Sequence, residues 1–172
     1  MNPELEQQLI EKYSFLKKGL SLEEQEANGR IDDLYSAFGC EVGSGWYSVI
    51  DGLCSELVSV YKKYGAPIDI RPAQIKEKYG RLRFYYDAQN RKKSIHAIDF
   101  LGEGTIRLEE GDTDLYKEVR RVVNKWEDIS YTVCEECGQP GELRKDLRWI
   151  QVLCPECYNK RLSKQKNVRK TL

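Results

Sequence analysis

In Arg81-Leu82-Arg83-Phe84-Tyr85-Tyr86 the hydrophobic period drops from the helical value to two. Leu82, Phe84 and Tyr86 fall on one face of a strand, and Arg81, Arg83 and Tyr85 on the other. Tyr79-Gly80 just upstream is turn chemistry, which makes residues 68–78 the partner strand. A hairpin with one apolar face needs a cover, and the flanking segments supply it. Upstream, Trp46, Val49, Ile50, Leu53, Leu57, Val58 and Tyr61 recur at i, i+3, i+4, i+7 and predict a helix over 46–64. Cys54 lies on its apolar side. Downstream, Leu115, Val119, Val122, Val123, Trp126 and Ile129 predict a helix over 113–130, capped by Asp112 or Thr113. Helices that bracket a run of strands define an α+β fold, with helices packed on an antiparallel sheet built from residues 68–109.

Further out the signals thin. Asn2 and Pro3 start a first helix, Leu5, Leu9, Tyr13 and Leu16 give its stripe, and Gly19 ends it. Residues 20–45 are less regular. A short helical stretch over 31–38 is the only element expected there, between the turns Asn28-Gly29 and Gly43-Ser44-Gly45. A second hairpin pairs 95–101 with 105–108 across Gly102-Glu103-Gly104.

The chain has 172 residues, enough to bury roughly 70% of its unfolded surface without disulfides. Apolar residues make up 40% and charged residues 33%, a globular composition. Lys+Arg and Asp+Glu are equal at 28 each, which argues against a surface that is polycationic throughout. No apolar run approaches the ~20 residues of a membrane span, and the N-terminus lacks a secretory pattern, so the expected location is the cytoplasm.

In that compartment six cysteines are not a disulfide framework. Four form two Cys-x-x-Cys pairs, Cys134/Cys137 and Cys154/Cys157, separated by sixteen residues. Each pair lets two thiolates reach one ion, and two pairs complete a tetrahedron. Leu143-Arg144 and residues 149–153 can form a hairpin between them, with Lys145-Asp146 in the turn, after a short strand at 131–133. Cys157 then falls in the first turn of a terminal helix, whose amide groups favour thiolate charge. Knuckle, hairpin and helix make a zinc-ribbon or treble-clef arrangement. A redox pair in the thioredoxin manner comes singly, and a catalytic zinc keeps an open position that four thiolates close. The expected cofactor is therefore a structural Zn²⁺. The chain divides into an α+β domain at 1–130 and a zinc-binding hairpin with a basic C-terminal helix at 131–172.

Nothing in the sequence supports an enzyme. Nucleotide-binding and hydrolase motifs do not occur. His96 is the one imidazole, the acids around Glu109 to Asp114 read as helix-cap charge, and Cys54 reads as core. For binding, Lys76, Lys78, Arg81, Arg83 and Tyr85 interleave cations with aromatics on one strand face, a layout that can track phosphates and stack bases. A solvated strand face is the plainer reading of the same residues. From Tyr158 to Leu172 there are six cations, Lys160, Arg161 and Lys164 among them, and no acid.

Three stretches carry a resemblance: Gly45-Trp46-Tyr47 through Cys54, Gln74-Ile75-Lys76-Glu77-Lys78-Tyr79-Gly80-Arg81-Leu82-Arg83-Phe84-Tyr85, and Cys134-Glu135-Glu136-Cys137-Gly138 through Cys157. In order and content the chain resembles, over most of its length, a family of small bacteriophage and prophage proteins. It departs from that pattern at Cys157, where many members have His, at Gly80-Arg81, where they have Gly-Gly, and over 87–113, which looks like an insertion. The first departure keeps a zinc site, and the last bears on whether the binding partner is shared. The resemblance implies a phage accessory protein with no known reaction. The leading expectation is a non-enzymatic zinc protein that binds a host protein or complex, to the point of inhibiting antiviral defence. The alternative is a nucleic-acid-binding regulator using the Arg81/Arg83 face and the basic tail. Neither a membrane nor a small-molecule substrate is expected.

Overall fold

The computed structural model describes residues 1–88, 98–99, 105–106 and 113–170, with the backbone alone at 98–99, 105–106 and 166–170. It is an α+β fold. Helix α1 spans Pro3–Lys12, α2 Leu22–Ala27, α3 Leu34–Phe38, α4 Tyr47–Lys63, α5 Asp114–Ile129 and α6 Pro155–Lys170. Strands are β1 Cys40–Glu41, β2 Ile70–Lys78, β3 Arg81–Ala88, β4 Ile98–Asp99, β5 Thr105–Ile106, β6 Glu142–Arg144 and β7 Gln151–Leu153.

The β2–β3 hairpin forms where the period of two placed it, with Ile75 opposite Phe84 and Lys78 opposite Arg81. A bulge between Pro72 and Gln74 shifts its register, consistent with a proline that cannot donate to the ladder. Two corrections concern the sheet. It gains β1, which lies parallel to β2 with Cys40 opposite Ile75. A two-residue strand leaves almost no period to read. Among the described residues the sheet also stops at Ala88, and β4 and β5 pair with each other in a separate two-stranded ladder. The rest of that second hairpin, the 88–112 insertion and His96 lie outside the described residues.

Helices α4 and α5 cover the sheet. Trp46, Ile50, Leu53, Cys54 and Leu57 from α4 and its preceding turn meet Ile75, Leu82 and Phe84, and Val119 and Val123 join from α5. Gly52 is the contact point of the two helices. A Cβ there would fall 2.1 Å from the Trp126 ring. Glycine in a helix interior costs about 1 kcal/mol, and here it admits an indole.

The first helix is shorter than its stripe suggests. It ends at Lys12, Tyr13 becomes extended, and Ser14–Leu16 form a 3₁₀ turn. Tyr13 leaves the helix with its ring still buried, and its hydroxyl donates to Asp51 Oδ1 at 2.9 Å. Helix α2, which its weak apolar pattern does not announce, starts at a capping box formed by Ser21 and Glu24. Helix α3 occupies the end of the expected 31–38 stretch, capped by Asp33. The expected strand at 131–133 is instead a 3₁₀ turn at Ser130–Thr132, with Val133 bridging Pro140.

Candidate metal centre

Four thiols converge at the end of the chain. The Sγ atoms of Cys134, Cys137, Cys154 and Cys157 lie within 4.8 Å of one another. Bonds of about 2.3 Å to a tetrahedral ion would set the sulfurs roughly 3.8 Å apart, and Cys137 Sγ stands 3.6 Å from Cys154 Sγ. All six cysteines are free thiols, and a disulfide would need about 2.05 Å. The four form a group that can hold a metal ion.

Local structure explains why they meet. Cys134 N–H donates to the Gln139 carbonyl at 2.7 Å, and Gly138 N–H returns to the Cys134 carbonyl at 2.9 Å. Gly138 takes φ 77°, which closes the knuckle. Strands β6 and β7 then pair Glu142 with Leu153 and Arg144 with Gln151. The turn between them is longer than Lys145-Asp146 and takes in Trp149, which is solvent-exposed and not in a strand. Cys157 sits in the first turn of α6, and its N–H donates to Cys154 Sγ at 3.4 Å. That donation brings the Cys154 thiol down to about 7. Burial and then the neighbouring thiols push Cys157 up. A cation among the four sulfurs would favour their thiolate forms.

The knuckle is clamped to the rest of the molecule by a segment the sequence offered only as a turn. Gly45 N–H donates to the Glu135 carbonyl at 2.8 Å, Gly43 N–H to Glu135 Oε1 at 3.2 Å, and Trp46 Nε1–H to the Val133 carbonyl at 2.8 Å. A Cβ on Gly45 would sit 2.2 Å from the Cys134 carbonyl oxygen and 2.4 Å from Gly138 N. Backbone lies on backbone, and a side chain would separate them. The knuckle is thus docked on the α+β body through hydrogen bonds that cross the 130/131 boundary.

The sequence-derived binding residues end up in different places. Arg81 and Arg83 turn over the edge of β3 onto α5. Arg81 Nη2 pairs with Asp128 at 2.6 Å and lies 3.7 Å from Glu127, and Arg83 Nη1 pairs with Glu127 at 3.2 Å. Lys76 Nζ lies 5.5 Å over the Tyr85 ring, and Lys78 Nζ 5.9 Å over that of Tyr79. On α6, Lys160 pairs with Glu156 at 2.6 Å and Arg161 with Glu136, while Lys164 is exposed. The structure therefore does not gather these residues into one basic face: two are taken up by α5 and three sit on α6.

A hollow of about 490 Å³ between α2 and β2 is lined by Asp32, Asp33, Arg71 and Asp87. Arg71 pairs with Asp33, and buried Gln25 at its floor bonds the Leu20 and Asp33 carbonyls and the Asp32 and Asp33 amides. It is a satisfied polar joint. Among the described residues no helix is long and apolar enough to cross a membrane. Set against known proteins, the chain matches no family model, no curated protein and no solved structure.

Proposed function

We propose that this chain is a non-enzymatic, zinc-stabilised binding protein that works in the host cytoplasm as a phage accessory factor. The observation that carries the reading is a cluster of four cysteine Sγ atoms within 4.8 Å of one another on a hairpin clamped to the fold. Four sulfurs leave no position for a water nucleophile or a substrate carbonyl. The ion's role is then to order a surface that 42 residues (131–172) would not order alone.

Two classes of partner fit such a surface. The resemblance points to a host protein or complex, including one that serves antiviral defence, and the uptake of Arg81 and Arg83 by α5 agrees with it. The charge layout favours a nucleic acid. Helix α6 carries six cations in its sequence, and of the three whose side chains are described Lys160 pairs with Glu156, Arg161 pairs with Glu136 and Lys164 is exposed. We take nucleic acid as the better supported partner and a host protein as the second reading.

The test is to purify the tagged chain from a bacterial host through a salt series and measure zinc on the same sample. One zinc per chain, with nucleic acid that leaves between 50 and 200 mM salt, is the expected result. A defined protein retained at high salt establishes the second reading. A chain free of metal overturns both.

A further inference from the structure

The β2–β3 turn holds an outlier. Tyr79 has φ 55°, a region that glycine and asparagine enter easily and an aromatic residue does not. With Gly80 at φ 76° it forms the centre of a tight hairpin turn in which Asn-Gly is the favoured pair. The Tyr79 ring is 62% exposed, so no buried contact offsets the strain. A second exposed ring stands beside it. Trp149 is 65% exposed, yet its indole N–H donates to Glu77 Oε2 at 2.8 Å. The other oxygen of that carboxylate, Oε1, accepts the Gly80 N–H at 2.5 Å. One carboxylate therefore ties the tyrosine turn and the indole together.

The support underneath is stiff. Gly80 rests on Leu143, Ile150 and Val152 of the zinc hairpin, where a Cβ would fall 2.3 Å from Leu143 Cδ1. The sheet hairpin and the metal hairpin thus meet beneath the two rings. Cations border them. Lys78 lies over the Tyr79 ring, and Lys145 and Arg148, in the loop that carries Trp149, are exposed. Glu77 is occupied by its two donors, and Asp146 accepts from Tyr158.

We propose that Tyr79 and Trp149 form a platform on which bases of a single-stranded nucleic acid stack, with Lys78, Lys145 and Arg148 against its phosphates and α6 extending the track. Aromatic faces take any base, whereas a duplex hides its base faces in its own stack. An indole and a tight turn tied to one carboxylate carry less of the ordering cost that mobile rings would bring to binding. The proposal rests on the binding-protein reading and moves the contact from the Arg81/Arg83 face to the hairpin tip.

The zinc-loaded chain is titrated with fluorescein-labelled dT12 and with a duplex of the same length at 50 and 200 mM salt. Intrinsic tryptophan emission is followed alongside. The expected result is preference for dT12, a weakening with salt, and quenching that disappears in Trp149→Ala. Trp149→Ala and Tyr79→Gly should each weaken dT12 binding roughly fivefold to a hundredfold. Tyr79→Gly separates binding from folding, because glycine relieves the φ strain and the variant should melt no lower than the parent. Equal binding of duplex and single strand, or dT12 binding indifferent to both variants, overturns the platform. Zinc-loaded protein that ignores both oligonucleotides but retains a protein partner through Trp149 also overturns it, and leaves the binding-protein reading standing.

Discussion

Glu127 sits inside the apolar stripe of α5 and is only 2% exposed. It is there because β3 is an edge strand whose outward amides need acceptors. Glu127 Oε1 accepts the Phe84 N–H at 3.0 Å, and Ser130 Oγ accepts the Leu82 N–H at 2.9 Å. The carboxylate's charge is then balanced by Arg83 and Arg81. The alternation of Arg81 and Arg83 was plain in the sequence, but their destination was not, since it depends on an acid more than forty residues away. Glu127→Ala would strand the Phe84 amide and take its carboxylate from Arg83, while Arg81 keeps Asp128, and urea melts should show a loss of about 3 kcal/mol. Glu127→Gln keeps an acceptor for Phe84 and should cost clearly less. Equal effects would mean that the amide bond contributes nothing.

At the scale of elements, α4 and α5 are joined by Gly52 under Trp126, by the Lys63–Glu118 pair and by the Glu56 carboxylate. Glu56 Oε2 accepts from Trp126 Nε1 at 2.8 Å and from Lys125 Nζ at 2.7 Å. Burial raises the Glu56 carboxyl, but these two donors and the nearby cations bring it net below its ordinary value. A depressed folded-state carboxyl stabilises the fold above its unfolded value of about 4.3, and that contribution fades as pH falls through the lower folded value. The stability gap between the parent and Glu56→Gln should therefore be present at pH 7 and shrink below about pH 4. Denaturant melts of both proteins at pH 7 and pH 3.5 measure it, and a gap that holds at low pH would remove Glu56 from the account. Both helices were readable from their apolar stripes. Their join was not, because neither a helical glycine nor a surface glutamate signals its partner.

At the scale of the molecule, the cysteine hairpin and the α+β body share one framework through Gly45, Trp46, Gly80 and Leu143. Cys134→Ser should remove the metal and release residues 131–170, and it should also lower the melting temperature of the body by ~5–10 °C, since the docking bonds are lost with the knuckle. Zinc content and a thermal melt on one sample decide this, and unchanged values of both would exclude a structural metal. What local pattern encodes was determined by the sequence alone: the α+β class from its hydrophobic periods, α4, α5 and the main hairpin to within a few residues, and the four clustered cysteines from their spacing. Periods and spacings survive in one dimension because they repeat within a few residues. The tertiary structure alone decided the rest. It added β1 to the sheet, turned Arg81 and Arg83 onto α5, placed a glycine loop against the knuckle and set Trp149 beside Tyr79. Each of these joins residues far apart in the chain through single contacts, and a single contact has no period to announce it.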